Sequence, residues 1–173
     1  KSLDRKLLVI LFADIAGYSS LMQENETKAK AWLRTFRDIT REVTASMKGQ
    51  VIHFYGDGCV CTFESSVNSL ECARQLQVRL SGAGVPVRIG LLSGDVYFDD
   101  NNVYGDTVNI ASRIETMALP GSVLFSARIR RDIANQPDYK YRLLGTFKLK
   151  NITEPLEVFA LDAEGVHLPR ALS

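Results

Sequence analysis

Cysteine and histidine are scarce in this chain, and each scarcity excludes something. Three cysteines, Cys59, Cys61 and Cys72, do not make a disulfide framework. Cys59 and Cys61 alternate along a strand-like run and point to one face, as small buried hydrophobes do. His53 and His167 are the only histidines, so a zinc site lacks ligands. Reduced thiols fit a cytoplasmic setting. Excess charge is missing too. The 21 Lys and Arg against 20 Asp and Glu leave a net charge of +1, which calls for neither nucleic acid nor an anionic membrane as partner. The longest apolar run, Leu7 to Ala13, falls far short of a membrane span. No secretory signal pattern, internal repeat, low-complexity stretch or linker is seen. The first residue is Lys rather than Met, as expected of a piece of a longer protein.

What is present suits one domain over residues 1–173. The chain is 46% apolar and 24% charged, the balance of an ordinary soluble globular domain. Residues 7–14 read as a short buried strand, broken by Gly17-Tyr18-Ser19-Ser20. Ala29, Trp32, Leu33, Phe36, Ile39, Val43 and Met47 recur at helical spacing, predicting a helix over 24–47 that Gly49 closes. Residues 51–55 and 59–63 are β-rich runs joined by Gly56-Asp57-Gly58, a hairpin signal. Ser65 or Ser66 caps a second helix striped by Val67, Leu70, Ala73, Leu76 and Leu80. A strand is expected over 87–94 and another from Val96, with a turn at 99–102. A third helix runs from Gly105-Asp106 to about Met117, where Pro120-Gly121 stops it. A strand at 122–125, a helix at 127–134 and strands at 139–144 and 156–161 complete the reading. This order predicts an α+β fold, with helices packed on a mainly antiparallel sheet.

Two aspartates stand out. Asp14 ends the first apolar run, and Asp57 sits in the hairpin turn. A carboxylate where a buried strand meets a turn is well placed to hold a divalent cation, and two could hold a pair of ions. Asn109 and Arg113 lie four residues apart on one face of the third helix. Carboxylates for metal and an Arg for phosphate point to chemistry on a nucleotide. Taken singly, each residue has a plainer explanation. Asp14 could cap or turn, and Asp57 is an ordinary hairpin residue. Arg113 could pair with Glu115 or Asp106 on the surface, and Lys150 could be a solvated lysine.

Four segments together resemble the class III adenylate and guanylate cyclase catalytic domain. They are residues 12–19 (FADIAGYS), 55–58 (YGDG), 104–113 (YGDTVNIASR) and 149–152 (LKNI), in the family's order and spacing across about residues 6–162. The resemblance implies a ferredoxin-like palm with a βαββαβ core. It also implies a head-to-tail homodimer whose active sites lie between the two chains. Asp14, Asp57 and the main-chain carbonyl of Ile15 would hold two divalent cations, Mg²⁺ or Mn²⁺. Asn109 and Arg113 would reach in from the partner chain, and Lys150 would meet the triphosphate. The implied reaction converts ATP to 3′,5′-cyclic AMP and pyrophosphate by attack of the ribose 3′-hydroxyl on the α-phosphate. Two ions can stabilise both the attacking and the leaving oxygen in such a displacement. Attached regulatory domains would supply control.

The base-recognition positions depart from the family pattern. His53 stands where adenylate-forming members carry Lys. Asn102 stands where they carry Asp, and a shift of one residue in that loop would put Asn101 there instead. Guanylate-forming members carry Glu and Cys at these two places, and this chain has neither. A His/Asn pair can read adenine without dictating it, so GTP stays open as substrate, and His53 could be a half-buried strand residue. The competing expectation is a non-catalytic or weakly active regulatory domain of the same fold. A different palm enzyme, such as a nucleotidyltransferase or a diguanylate cyclase, fits less well: the Asn-x-x-x-Arg helix is present and a Gly-Gly-Asp/Glu-Glu-Phe hairpin is not.

Overall fold

A computed structural model describes residues 3–150 and 152–171. In chain order the elements are β1 (Asp4–Ile15), α1 (Tyr18–Glu24), α2 (Glu26–Ser46), β2 (Gln50–Tyr55), β3 (Gly58–Phe63) and α3 (Ser66–Gly82). Then follow β4 (Val87–Phe98), β5 (Val103–Tyr104), α4 (Asp106–Met117), β6 (Val123–Ser126), α5 (Ala127–Asp132), β7 (Lys140–Phe147) and β8 (Leu156–Asp162).

The strands make one sheet in the order β2-β3-β1-β4-β6-β8-β7, with β5 paired to β4. Every pairing is antiparallel except β4 with β6. Strand β3 lies between β1 and β2, and β1 lies between β3 and β4. With α2 and α3 as crossovers this is the split βαβ arrangement of the ferredoxin-like fold. The expected α+β palm is therefore the observed one.

Both faces of β1 are covered, which explains why its sequence is a continuous apolar run rather than an alternating one. Val9, Leu11, Ala13 and Ile15 pack with Phe36, Leu70, Leu76 and Ile129 from α2, α3 and α5. Leu8, Ile10 and Phe12 pack on the opposite face with Ala111 and Ile114 of α4. The three cysteines are free and buried, as expected, and Cys59 and Cys61 share a face with their sulfurs 4.0 Å apart.

Several element ends shift by a few residues, as where β1 begins at Asp4 and β7 runs to Phe147, and two differences from the sequence reading go further. The break expected at residues 17–20 is only Gly17, whose φ of 72° turns the chain into α1. The helix predicted over 24–47 is thus preceded by a short one. Asn25 separates the two, its side chain accepting from Lys28 N–H at 3.1 Å. The second difference is β4, which is one strand of 12 residues rather than two. Gly94 does not break it. A side chain there would meet Thr107 Oγ1 at 2.7 Å, so α4 occupies that space.

Candidate active site

The site is built at the C-terminal end of β1. Asp14 lies opposite Gly58 on β3 and Arg88 on β4. A Cβ at Gly58 would come within 2.8 Å of the Ala13 carbonyl oxygen, so only glycine lets the β2–β3 turn close over β1. The turn is then tied down: Ile15 N–H donates to the Asp57 main-chain carbonyl at 2.9 Å. Register and turn together bring Asp14, Ile15 and Asp57 to one place. Burial, and then the charge of Asp14, raise the Asp57 carboxyl above its usual value.

Two further charged residues complete this floor, and the sequence reading did not single them out. Arg88 clasps Asp14 with both arms of its fork, Nε to Oδ1 at 3.0 Å and Nη2 to Oδ2 at 2.8 Å. Arg88 Nε also lies 3.7 Å from Oε2 of Glu115. Glu115 sits in α4 and is 5% exposed. A Cβ on Gly90 would press on the Glu115 backbone nitrogen and lie 2.6 Å from its Cα. The missing side chain on β4 is what lets this turn of α4 touch the sheet. Burial, and then the charge of Asp14, push Glu115 up to about 8. Tyr55 borders the same group. Burial and Glu115 first, with Cys59, Asp14 and Asp57 behind them, drive its phenol above the usual value. A signal for both residues was available. Arg88 interrupts an apolar strand, and Glu115 adjoins Ile114 on the buried side of a helix, where an unpaired charge is rare.

Asn109 and Arg113 stand on α4 and are exposed. Neither side chain makes a hydrogen bond or ion pair with the described residues. Glu115, one surface partner considered for Arg113, faces Arg88 instead. Lys150 is exposed, in a shallow concavity with Lys148, Leu149, Ile152 and Thr153. Asn151 of the same motif lies outside the described residues.

His53 and Asn102 are not brought into one pocket. His53 is exposed on β2, its ring edge-on to Tyr55 at 6.0 Å. Asn102 lines a cavity of about 290 Å³ with Lys48, Gln50, Ile52 and Thr62, whose wall does not include His53. The Asn102 side-chain oxygen accepts Val103 N–H at 2.9 Å, and the Asn102 main-chain N–H donates to Asp99 Oδ1 at 3.0 Å. One acceptor of this residue is therefore engaged within the turn.

The donor set suits a hard divalent ion. Two carboxylates and a main-chain carbonyl offer only oxygen, which Mg²⁺ prefers. Among the described residues, no three His, Cys, Asp or Glu side chains form a closed cage. Two carboxylates suffice for an ion shared with substrate phosphates.

Comparison with known proteins agrees with this chemistry. Residues 4–163 match the family model described as the adenylate and guanylate cyclase catalytic domain. The chain is 32% identical over 168 residues to "Putative adenylate cyclase 3" of Rhizobium meliloti (strain 1021), covering 92% of this chain and 29% of that protein. The chain thus spans less than a third of that relative's length. A solved adenylate/guanylate cyclase/hydrolase from Silicibacter pomeroyi is 30% identical. It matches with a TM-score of 0.84 over 94% of this chain and 99% of its own. The adenylyl cyclase CyaB from P. aeruginosa shares the fold at a TM-score of 0.84 and 20% identity, with both chains fully covered. Members of this family generally use divalent metal ions. A match running almost end to end, on the palm that carries these carboxylates, makes this chain a member of the class III adenylate and guanylate cyclase catalytic domain family.

Proposed function

We propose that this chain is one catalytic domain, with its core over about residues 6–162, that converts ATP to 3′,5′-cyclic AMP and pyrophosphate. Its site would be shared between two copies. One observation carries this. The fold gathers Asp14, Ile15 and Asp57 at the end of β1, while Asn109 and Arg113 stand exposed on α4 with no partner among the described residues. A second chain placed head to tail would complete one half with the other.

The roles follow from the chemistry of each group. The ribose 3′-hydroxyl gives up its proton to solvent as its oxygen bonds to the α-phosphorus, and the bond to the leaving pyrophosphate breaks. Negative charge grows on the α-phosphate oxygens, and the Arg113 guanidinium offers fixed donors for it. Asn109 orients the ribose. Lys150 draws the triphosphate, and His53, exposed on β2, meets the base edge, with Asn102 set apart from it in a separate cavity. Divalent ions at Asp14, Asp57 and the Ile15 carbonyl would neutralise the leaving phosphates and acidify the hydroxyl. No helix among the described residues is long and apolar enough to cross a membrane. We read the domain as cytoplasmic, joined in a longer protein to regulatory domains.

The test is product formation by concentrated chain with ATP or GTP and Mg²⁺ or Mn²⁺. Cyclic AMP is expected, and Asp57→Ala should abolish it. Arg113→Ala should lower turnover by about 10³–10⁵. Unchanged turnover in either variant would sink the assigned roles. The engaged oxygen of Asn102 favours a second reading, in which guanine is taken as well. Cyclic GMP would establish that reading and leave the mechanism standing.

A further inference from the structure

Arg88 faces two carboxylates and is hydrogen-bonded to only one. Its fork takes both oxygens of Asp14. Its Nε is 3.7 Å from Glu115 Oε2, about 0.7 Å beyond an ordinary N–H···O bond. That oxygen is fully buried and has no hydrogen-bond partner. A buried carboxylate oxygen left bare is costly and uncommon. The structure therefore holds one guanidinium, one carboxylate that it satisfies and, on Glu115, one orphan oxygen within a single small cluster.

We propose that Arg88 exchanges between these carboxylates, holding Asp14 while no ion is bound and turning to Glu115 when a divalent ion takes Asp14. This rests on Asp14 being an ion ligand, as proposed above. Arg88 bridges both Asp14 oxygens, so any ion at Asp14 competes with a bidentate, charge-assisted pair. A displaced guanidinium in a half-buried site needs another partner, and the orphan oxygen of Glu115 is in reach. The backbones need not move. Close contact at Gly90 seats Glu115 against the sheet, and Arg88 is anchored in β4 by its pairing with Asp14 on β1. Only the arginine side chain has to turn. Glu115 lies two residues beyond Arg113 on α4, so ion loading would add a new tie to the helix that carries Asn109 and Arg113. Arg88 and Glu115 are thus positioning residues that set how readily Asp14 accepts its ion.

The experiment is a Mn²⁺ titration of the purified chain without nucleotide, following the free-ion signal by electron paramagnetic resonance. Arg88→Gln should bind Mn²⁺ about tenfold more tightly, because the competing fork is gone. Arg88→Lys keeps the cation but loses the fork, and should shift affinity the same way by less. Glu115→Gln is nearly isosteric and removes the landing place, so it should weaken binding several-fold. Most of that loss should vanish in the Arg88→Gln background. Thermal melts establish that each variant is folded. Wild-type affinity in folded Arg88→Lys and Glu115→Gln overturns the exchange. Asp14→Asn separates the two ideas. If it abolishes Mn²⁺ binding while the Arg88 and Glu115 variants behave as wild type, the ion site stands and the exchange falls. If Mn²⁺ binding is absent, or indifferent to Asp14, both fall.

Discussion

Gly90 shows how much of the site depends on atoms that are not there. A methyl group at that position would collide with the backbone of Glu115, and backbone cannot step aside as a flexible side chain can. Gly90→Ala is therefore expected to destabilise the fold by ~1–3 kcal/mol or more, read as a lowered urea midpoint. It should also lower the proposed cyclase turnover, because α4 carries both Glu115 and Arg113. An unchanged midpoint would mean that α4 is seated more loosely than the geometry implies. Residue-scale chemistry was only partly legible beforehand. Asp14, Asp57, Asn109 and Arg113 were singled out because their types and spacing suggested a role. Arg88 and Glu115 acquire their meaning from cross-strand register and helix seating, which join residues 14, 88 and 115 across the sheet.

At the scale of elements, one polar cluster ties α3 to Tyr139, the residue just ahead of β7. Arg74 donates two hydrogen bonds to Glu71 at 3.0 and 2.6 Å, Gln75 adds one at 2.8 Å, and Tyr139 O–H donates at 2.7 Å. The Arg74 hydrogen bonds, chiefly, bring the Glu71 carboxyl from 4.5 down to about 2. A carboxyl with a depressed folded-state pKa contributes stability that is fully present above its unfolded value. That contribution fades as pH falls from about 4.5 toward 2. Glu71→Gln should therefore be less stable than the parent at pH 6, by on the order of 1–3 kcal/mol. It should also lose less between pH 5 and pH 3. Parallel melting-temperature profiles for the two proteins across that range would refute the assignment. The helices themselves were readable from apolar stripes and caps. Ser65 accepts from Asn68 N–H at 3.1 Å, as its place before the second stripe suggested. The split at Asn25 and the unbroken β4 were not readable, because a cap and a strand glycine look alike in sequence whether or not something packs against them.

At the scale of the molecule, the proposed division of labour between two copies can be tested without a dimer structure. Asp14→Ala lacks one half of the site and Arg113→Ala lacks the other. Each alone should be nearly inactive. Mixed in equal amounts and allowed to exchange, half the dimers become heterodimers, each with one intact site of two. About a quarter of wild-type turnover should return. No recovery, in a mixture shown to exchange subunits, would place both halves in the same chain.

Much about this protein was determined by the sequence alone. Continuous apolar strands, helical stripes, capping residues and a glycine-rich hairpin dictate an α+β palm, because each is a local consequence of burial and backbone freedom. The four motifs in order carry the family. Tertiary structure alone decided three things. It placed Asp14 beside Asp57 through a tight turn, put Arg88 on Asp14 with Glu115 unsatisfied nearby, and kept His53 out of the cavity that holds Asn102. These depend on strand register, which shifts between Val51 and His53 where β2 meets β3, and on the seating of one helix on a glycine. Such features arise from contacts between residues far apart in the chain, and no local pattern encodes them.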